Sequence, residues 1–119
     1  MVKENPVAEK SKAFALLIIR LYRYLREQKH EFIMSRQLLR SGTSIGANIW
    51  ESLRGQSKAD FYAKLNIALK EADETAYWLE LLHESGYLPE EGFISIYADV
   101  EEVIRLLVLI TRKQKMDAE

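Results

Sequence analysis

The sequence contains no cysteine, which excludes disulfides, thiolate metal centres and cysteine nucleophiles together. That absence suits a reducing compartment, and a cytoplasmic protein is expected. Proline occurs only at positions 6 and 89, so little interrupts helix formation. No stretch approaches the ~20 consecutive apolar residues that cross a bilayer, and no membrane partner is expected. The apolar run from Ala13 to Ile19 is followed by Arg20-Leu21-Tyr22-Arg23, which offers no small-residue site for signal-peptide cleavage. Histidine also occurs only twice, at positions 30 and 83.

What the chain does contain is ordinary for a globular protein: 119 residues, 48% hydrophobic and 29% charged. That length fits one domain, residues 1–119, with a real core. The net charge of −1 conceals a polarity along the chain. Residues 1–58 carry 11 Lys/Arg against 5 Asp/Glu, a balance of +6, whereas residues 59–119 carry 6 against 13, a balance of −7. In a folded bundle these halves lie side by side. Three readings follow: subunits pair basic face to acidic face, the basic half meets an anion such as nucleic acid, or the halves form a solvated dipolar surface.

Apolar residues recur at three- and four-residue spacing along almost the whole chain, which predicts helices. Asn5-Pro6 reads as an N-cap followed by the first helical position. The stripe Phe14, Leu17, Ile18, Leu21, Tyr22 and Leu25 then carries the first helix to about Gln28. A second helix is expected over about 35–54, with Leu38, Gly42, Ile45, Ile49 and Leu53 inward. Ser57 and Asp60 form a capping-box-like start to a third helix. Phe61, Leu65, Ala68, Ala72, Ala76 and Leu79 are its inward row, and it ends near Glu84 with Gly86 as a left-handed stop. Pro89, Glu90 and Glu91 open a fourth helix that buries Phe93, Val100, Ile104 and Leu107. Four amphipathic helices with short connections specify an all-α fold, an antiparallel up-down-up-down four-helix bundle.

The stretch SGTSIGAN, residues 41–48, interrupts this pattern with two glycines. Gly42 and Gly46 have the spacing G-x-x-x-G, not the G-x-G-x-x-G or G-x-x-x-x-G-K-[ST] of phosphate loops, and no strand precedes them. Leu38, Ile45 and Ile49 keep the helical period through the stretch. It is therefore a helix with a small-residue face that another backbone approaches closely. Ser41, Ser44, Asn48 and Glu51 flank that face, as Glu71 and Glu74 flank the third helix's stripe beside Ile67 and Trp78. Half-buried polar rows need hydrogen-bond partners. Asn48 and Glu51 either tie the second helix to a neighbour or form a solvated boundary.

Two Glu-x-x-His motifs, Glu27–His30 and Glu80–His83, invite comparison with di-metal bundles. At about 100° per residue, Glu27 and His30 point away from the first helix's apolar stripe. His83 lies near the core face, but without a second inward-facing motif. No nucleophile elbow is present, and Glu101-Glu102 are adjacent rather than facing. Neither catalysis, a metal, a cofactor nor a small-molecule substrate is expected.

The helices also carry more apolar residues than one core can face. Leu16 and Ile19 lie opposite the first helix's main stripe, interleaved with Lys12, Arg20, Arg23 and Arg26. Ile67, Trp78 and Leu81 form a second row on the third helix, Leu106 and Leu109 stray outward on the fourth, and Trp50 leaves the second helix's core face. Several second stripes imply a further buried surface. A homo-oligomer is expected, with Leu16, Ile19, Trp50, Ile67 and Trp78 at its interface.

Residues 37–82 carry a further pattern: Ser44-Ile45, Asn48-Ile49 and Glu51, then Asp60-Phe61, then Glu71, Glu74-Thr75 and Tyr77-Trp78-Leu79, followed by Gly86-Tyr87-Leu88. This pattern resembles the signature of small bacterial four-helix-bundle proteins encoded within intervening sequences of 23S ribosomal RNA genes. The same fold is similar to the accessory protein of diversity-generating retroelements, a pentameric barrel whose basic surface engages a reverse transcriptase and nucleic acid. The resemblance implies a pentamer that binds RNA, DNA or a nucleic-acid-handling protein. This chain departs from a uniformly basic binder, with a pI near 6.2. A phosphate-contacting face is therefore confined to the first helix and the part of the second with Arg36, Arg40 and Arg54, where Lys12, Arg20, Arg23 and Arg26 are the first expected contacts and Arg36 and Arg40 the second. The alternative is a purely protein-binding scaffold, its basic row paired with the acidic helices of a neighbour.

Overall fold

A computed structural model describes residues 5–118, with side chains to residue 116, so the ends of the expected domain 1–119 lie outside the described residues. Four helices, α1 (Pro6–Glu27), α2 (Met34–Ser52), α3 (Lys58–Glu84) and α4 (Glu90–Ala118), follow one another, and no strand forms among the described residues. Each helix packs on its chain neighbours, α2 on α3 most extensively, and α4 returns to close the bundle against α1 along its least extensive seam. This is the expected all-α, antiparallel four-helix bundle.

The helix ends follow local chemistry. Asn5 Oδ1 accepts from the Ala8 amide at 3.0 Å, ahead of Pro6 at the first helical position. Ser57 Oγ accepts from the Asp60 amide at 3.1 Å and starts α3. At the other end of α3, Gly86 turns with φ 89°. The Tyr87 amide then donates to the Leu82 carbonyl at 2.9 Å and the Gly86 amide to that of His83 at 3.1 Å, the paired bonds of a Schellman ending.

The start of α2 depends on a residue that periodicity does not mark. Glu31 is only 8% exposed although it lies in the α1–α2 connection. Its carboxylate accepts from the amides of Ile33 (3.2 Å), Met34 (3.0 Å) and Ser35 (2.7 Å). Ser35 Oγ donates back to the Glu31 carbonyl at 2.8 Å. A buried anion thus satisfies three donors of the helix start.

Of the expected rows of α2 and α3, Leu38, Gly42, Ile45, Ile49, Leu65, Ala68, Ala72, Ala76 and Leu79 are buried, while Leu53 and Phe61 pack half-buried against the core. Two expectations change. Leu17, placed inward by its spacing, is exposed and does not join the core. On α4, Phe93 and Ile104 are half-buried, while Ile96 and Val103 join Val100 and Leu107 inside. The run Val103-Ile104-Arg105-Leu106-Leu107-Val108-Leu109-Ile110 is apolar nearly all round. Periodicity therefore cannot choose its inward face.

The small-residue face of α2 meets α1. A Cβ on Gly46 would lie 3.4–3.6 Å from Ser11 Oγ, carbonyl oxygen and carbonyl carbon, so the backbones approach closely there. At Gly42 the neighbour is instead a side chain, Ile18.

Candidate nucleic-acid interface

Cations on α1 and α2 divide into those the bundle neutralises and those it leaves outward. Lys12, Arg20 and Arg23 are exposed on α1, and Arg36 is exposed in the first turn of α2. None of the four forms an ion pair among the described residues. Arg26 is half-buried, its guanidinium carbon 5.3 Å from the Tyr22 ring centroid and 5.0 Å from that of Phe32. By contrast, Lys10 Nζ meets Glu102 at 3.0 Å across the α1–α4 seam, and Lys64 Nζ meets Glu51 at 2.8 Å between α3 and α2.

Arg40 stands apart from the other predicted phosphate contacts. Its Nη1 donates to Glu71 Oε2 at 3.2 Å and its Nη2 to Glu74 Oε2. Glu74 also accepts from Trp78 Nε1 at 2.9 Å. The bond from the Trp78 indole, followed by that from Arg40, lowers the Glu74 pKa below its ordinary value. The Arg40 pKa is raised, first by its bond to Glu74. Two predicted features, a phosphate contact and a polar flank, thus meet in one ion-paired cluster on the α2–α3 seam.

The rest of the polar flank is satisfied within the chain. Thr75 Oγ1 donates to Ser41 Oγ at 2.9 Å, joining two buried hydroxyls across α2 and α3. Ser44 Oγ donates to the Ser41 carbonyl at 3.1 Å, and Asn48 Nδ2 to the Ser44 carbonyl at 2.8 Å. Glu51 therefore ties α2 to α3, whereas this Asn48 bond stays within α2.

The proposed interface residues also separate. Leu16 (55%), Trp50 (57%) and Ile67 are exposed, whereas Ile19 is half-buried. Trp78 is half-buried and packs on the core, with its N–H given to Glu74. Trp50 edges a shallow groove of about 370 Å³ between α1 and α2, floored by small residues including Ala8, Ser11, Ala15 and Gly46. Across the bundle, a groove of about 510 Å³ between α3 and α4 is lined by Asp73, Tyr77, Glu80, Glu101 and Arg105, among others. In its wall Tyr97 donates to Glu80 Oε2 at 2.6 Å, and that carboxylate pushes the phenol pKa up to about 12.

Of the Glu-x-x-His residues, Glu27 and His30 are exposed at the end of α1 and in the turn beyond it. His83 stacks on Phe93, with ring centroids 4.1 Å apart, and its Nε2 lies 2.7 Å from Glu90 Oε1. No cluster of three or more potential metal ligands forms among the described residues, and no described helix is long and apolar enough to cross a membrane.

Periodicity does not mark the Phe32 ring that lies beside Arg26. Phe32 and Ile33 are 44% and 78% exposed in the α1–α2 connection. The available signal was an apolar pair inside a turn, where polar residues are usual.

A protein of unknown function from the S23 ribosomal protein family of Bacteroides thetaiotaomicron has a crystal structure similar to this chain. It is 54% identical, with a TM-score of 0.87 over 88% of this chain and 97% of its own. No curated protein matches. The family profile of the 23S rRNA-intervening sequence proteins matches residues 3–109, and the chain belongs to that family.

Proposed function

We propose that this protein is a non-enzymatic, self-assembling module of the cytoplasm that binds nucleic acid through the basic face of α1 and the start of α2. The observation that carries the reading is the set of outward cations, Lys12, Arg20, Arg23 and Arg36, without carboxylate partners among the described residues. Charges held this way bind phosphates with little sequence preference and strong salt dependence. Arg40, engaged by Glu71 and Glu74, contributes less. Self-assembly is supported by exposed Leu16, Trp50 and Ile67. A ring, five-membered by the family resemblance, repeats the basic face once per subunit and multiplies a modest local charge.

Light scattering coupled to size-exclusion chromatography, with a structured ribosomal RNA fragment, tests the proposal. An oligomer that co-elutes with RNA at low salt and releases it as salt rises is expected. The double variant Arg20→Glu/Arg23→Glu is expected to keep its fold and oligomer and to lose the RNA. Unchanged RNA affinity in that variant overturns the assignment.

One observation favours a second reading. The groove between α3 and α4 carries three carboxylates, Asp73, Glu80 and Glu101, against one cation, Arg105, a charge balance opposite to that of the basic row. In a pure protein scaffold the basic row pairs with that groove on a neighbouring subunit. High salt then dissociates the oligomer, whether or not RNA is present.

A further inference from the structure

The α1–α2 connection presents apolar surface to solvent in an ordered way. Phe32 and Ile33 are exposed beside Glu31, whose carboxylate accepts from the amides of Ile33, Met34 and Ser35 and so orders the backbone that follows Phe32. Arg26 lies between the Tyr22 and Phe32 rings at cation–π distances, which forms a ladder of alternating aromatic and cationic groups. The His30 ring stands 6.4 Å from Phe32 and tilted by 39°. Arg23, Lys29 and Arg36 are exposed close to this ladder in sequence, three cations against the one exposed carboxylate of Glu27, and Glu31 is already committed to backbone amides.

We propose that this ladder is a stacking platform for an unpaired nucleobase, so that the protein prefers single-stranded nucleic acid over duplex. The inference rests on the nucleic-acid reading above and assigns its substrate class. Cations alone do not make that distinction, because single strands and duplexes both present phosphates. Base faces do: a paired base is covered on both sides by its neighbours, whereas an unpaired base offers a free π face to an aromatic ring or a guanidinium plane. An apolar protein partner fits this site less well, since it would cover Phe32 and Ile33 while burying the neighbouring cations without partners. Stacking on Phe32 with phosphates directed to Arg23, Lys29 and Arg36 satisfies both components of the site.

Fluorescence anisotropy with a labelled single-stranded RNA and a duplex RNA of equal length tests the platform. The wild-type protein is expected to bind the single strand more tightly. Phe32→Ala is expected to weaken single-strand binding by ~10-fold, the scale of one lost base stack, and to leave duplex binding and its salt dependence unchanged. Phe32→Trp should retain the preference. An unchanged circular dichroism spectrum and elution volume for Phe32→Ala exclude unfolding as the cause. Equal single-strand affinity of Phe32→Ala and wild type, with binding still lost in Arg20→Glu/Arg23→Glu, overturns the platform and spares the phosphate reading. Failure of the wild-type protein to bind either RNA overturns both.

Discussion

Gly42 faces Ile18 with no room for a further carbon between them: a Cβ on Gly42 would lie 2.8 Å from both Ile18 Cγ1 and Cγ2. Ile18 is fully buried, and close-packed interiors leave a side chain little room to withdraw. Gly42→Ala gains about 1 kcal/mol of helix propensity but meets an overpacking cost of about 1–3 kcal/mol. A net loss of about 1 kcal/mol is expected in chemical denaturation. At Gly46 the nearest contact would be 3.4 Å, so Gly46→Ala is expected to be neutral or stabilising by up to about 1 kcal/mol. Equal losses at both positions would contradict this account of the α1–α2 contact.

Glu31 is expected to matter more for stability than its loop position implies. Glu31→Ala removes the acceptor for three amides at the start of α2 and should cost about 2 kcal/mol. Hydrogen exchange should then quicken at Ile33, Met34 and Ser35 before it does elsewhere in α2. Uniform exchange along the helix would assign the stability loss to another cause.

Tyr97 supplies an alkaline test. Its bond to Glu80, with burial second, raises the phenol pKa from 10.0 to about 12. A group whose folded-state pKa is raised stabilises the fold below its unfolded value and loses that contribution as pH rises through its folded value. Stability attributable to Tyr97 should therefore fall between pH 10 and about 12. Ultraviolet titration of Glu80→Gln should return one tyrosine toward the ordinary range, and Tyr97→Phe should remove that transition.

Glu74 supplies the acid counterpart. Its pKa is lowered from 4.5 by the bonds from Trp78 and Arg40. A depressed carboxylate stabilises the fold above its unfolded value and loses that contribution as pH falls through its folded value. In an NMR titration of the carboxylate carbon, Trp78→Phe and Arg40→Gln should each raise the Glu74 pKa. The seam is half open to solvent, so the loss in stability should be small. An unmoved Glu74 pKa in both variants would refute the coupling of Trp78, Glu74 and Arg40.

Much of the fold was legible before any coordinates because its signals are local. Asn5-Pro6, Ser57 and Gly86 mark helix ends through bonds that span five residues or fewer. The small-residue face of α2 was also legible, since Gly42 and Gly46 stay in phase with Leu38, Ile45 and Ile49. Glu31 was missed because a buried carboxylate in a polar connection has no periodic signature. The inward row of α4 was read in part: Val100 and Leu107 are buried and Phe93 and Ile104 pack half-buried on the core, whereas Val103 was missed in a stretch that is apolar on several sides.

For the candidate site the division is similar. The sequence alone determined that the cations cluster in the first half of the chain and that helices carry them. Only the tertiary structure decided which remain available, because pairing depends on where a separate helix places its carboxylates. Arg40 meets Glu71 and Glu74 across a packed seam, whereas Arg20 and Arg23 project where no carboxylate pairs with them among the described residues. It also brought Arg26 between Tyr22 and Phe32, a contact that depends on how the chain turns between α1 and α2. Helix ends are decided by the few residues around them; the partner of a side chain is decided by whichever helix packs beside it.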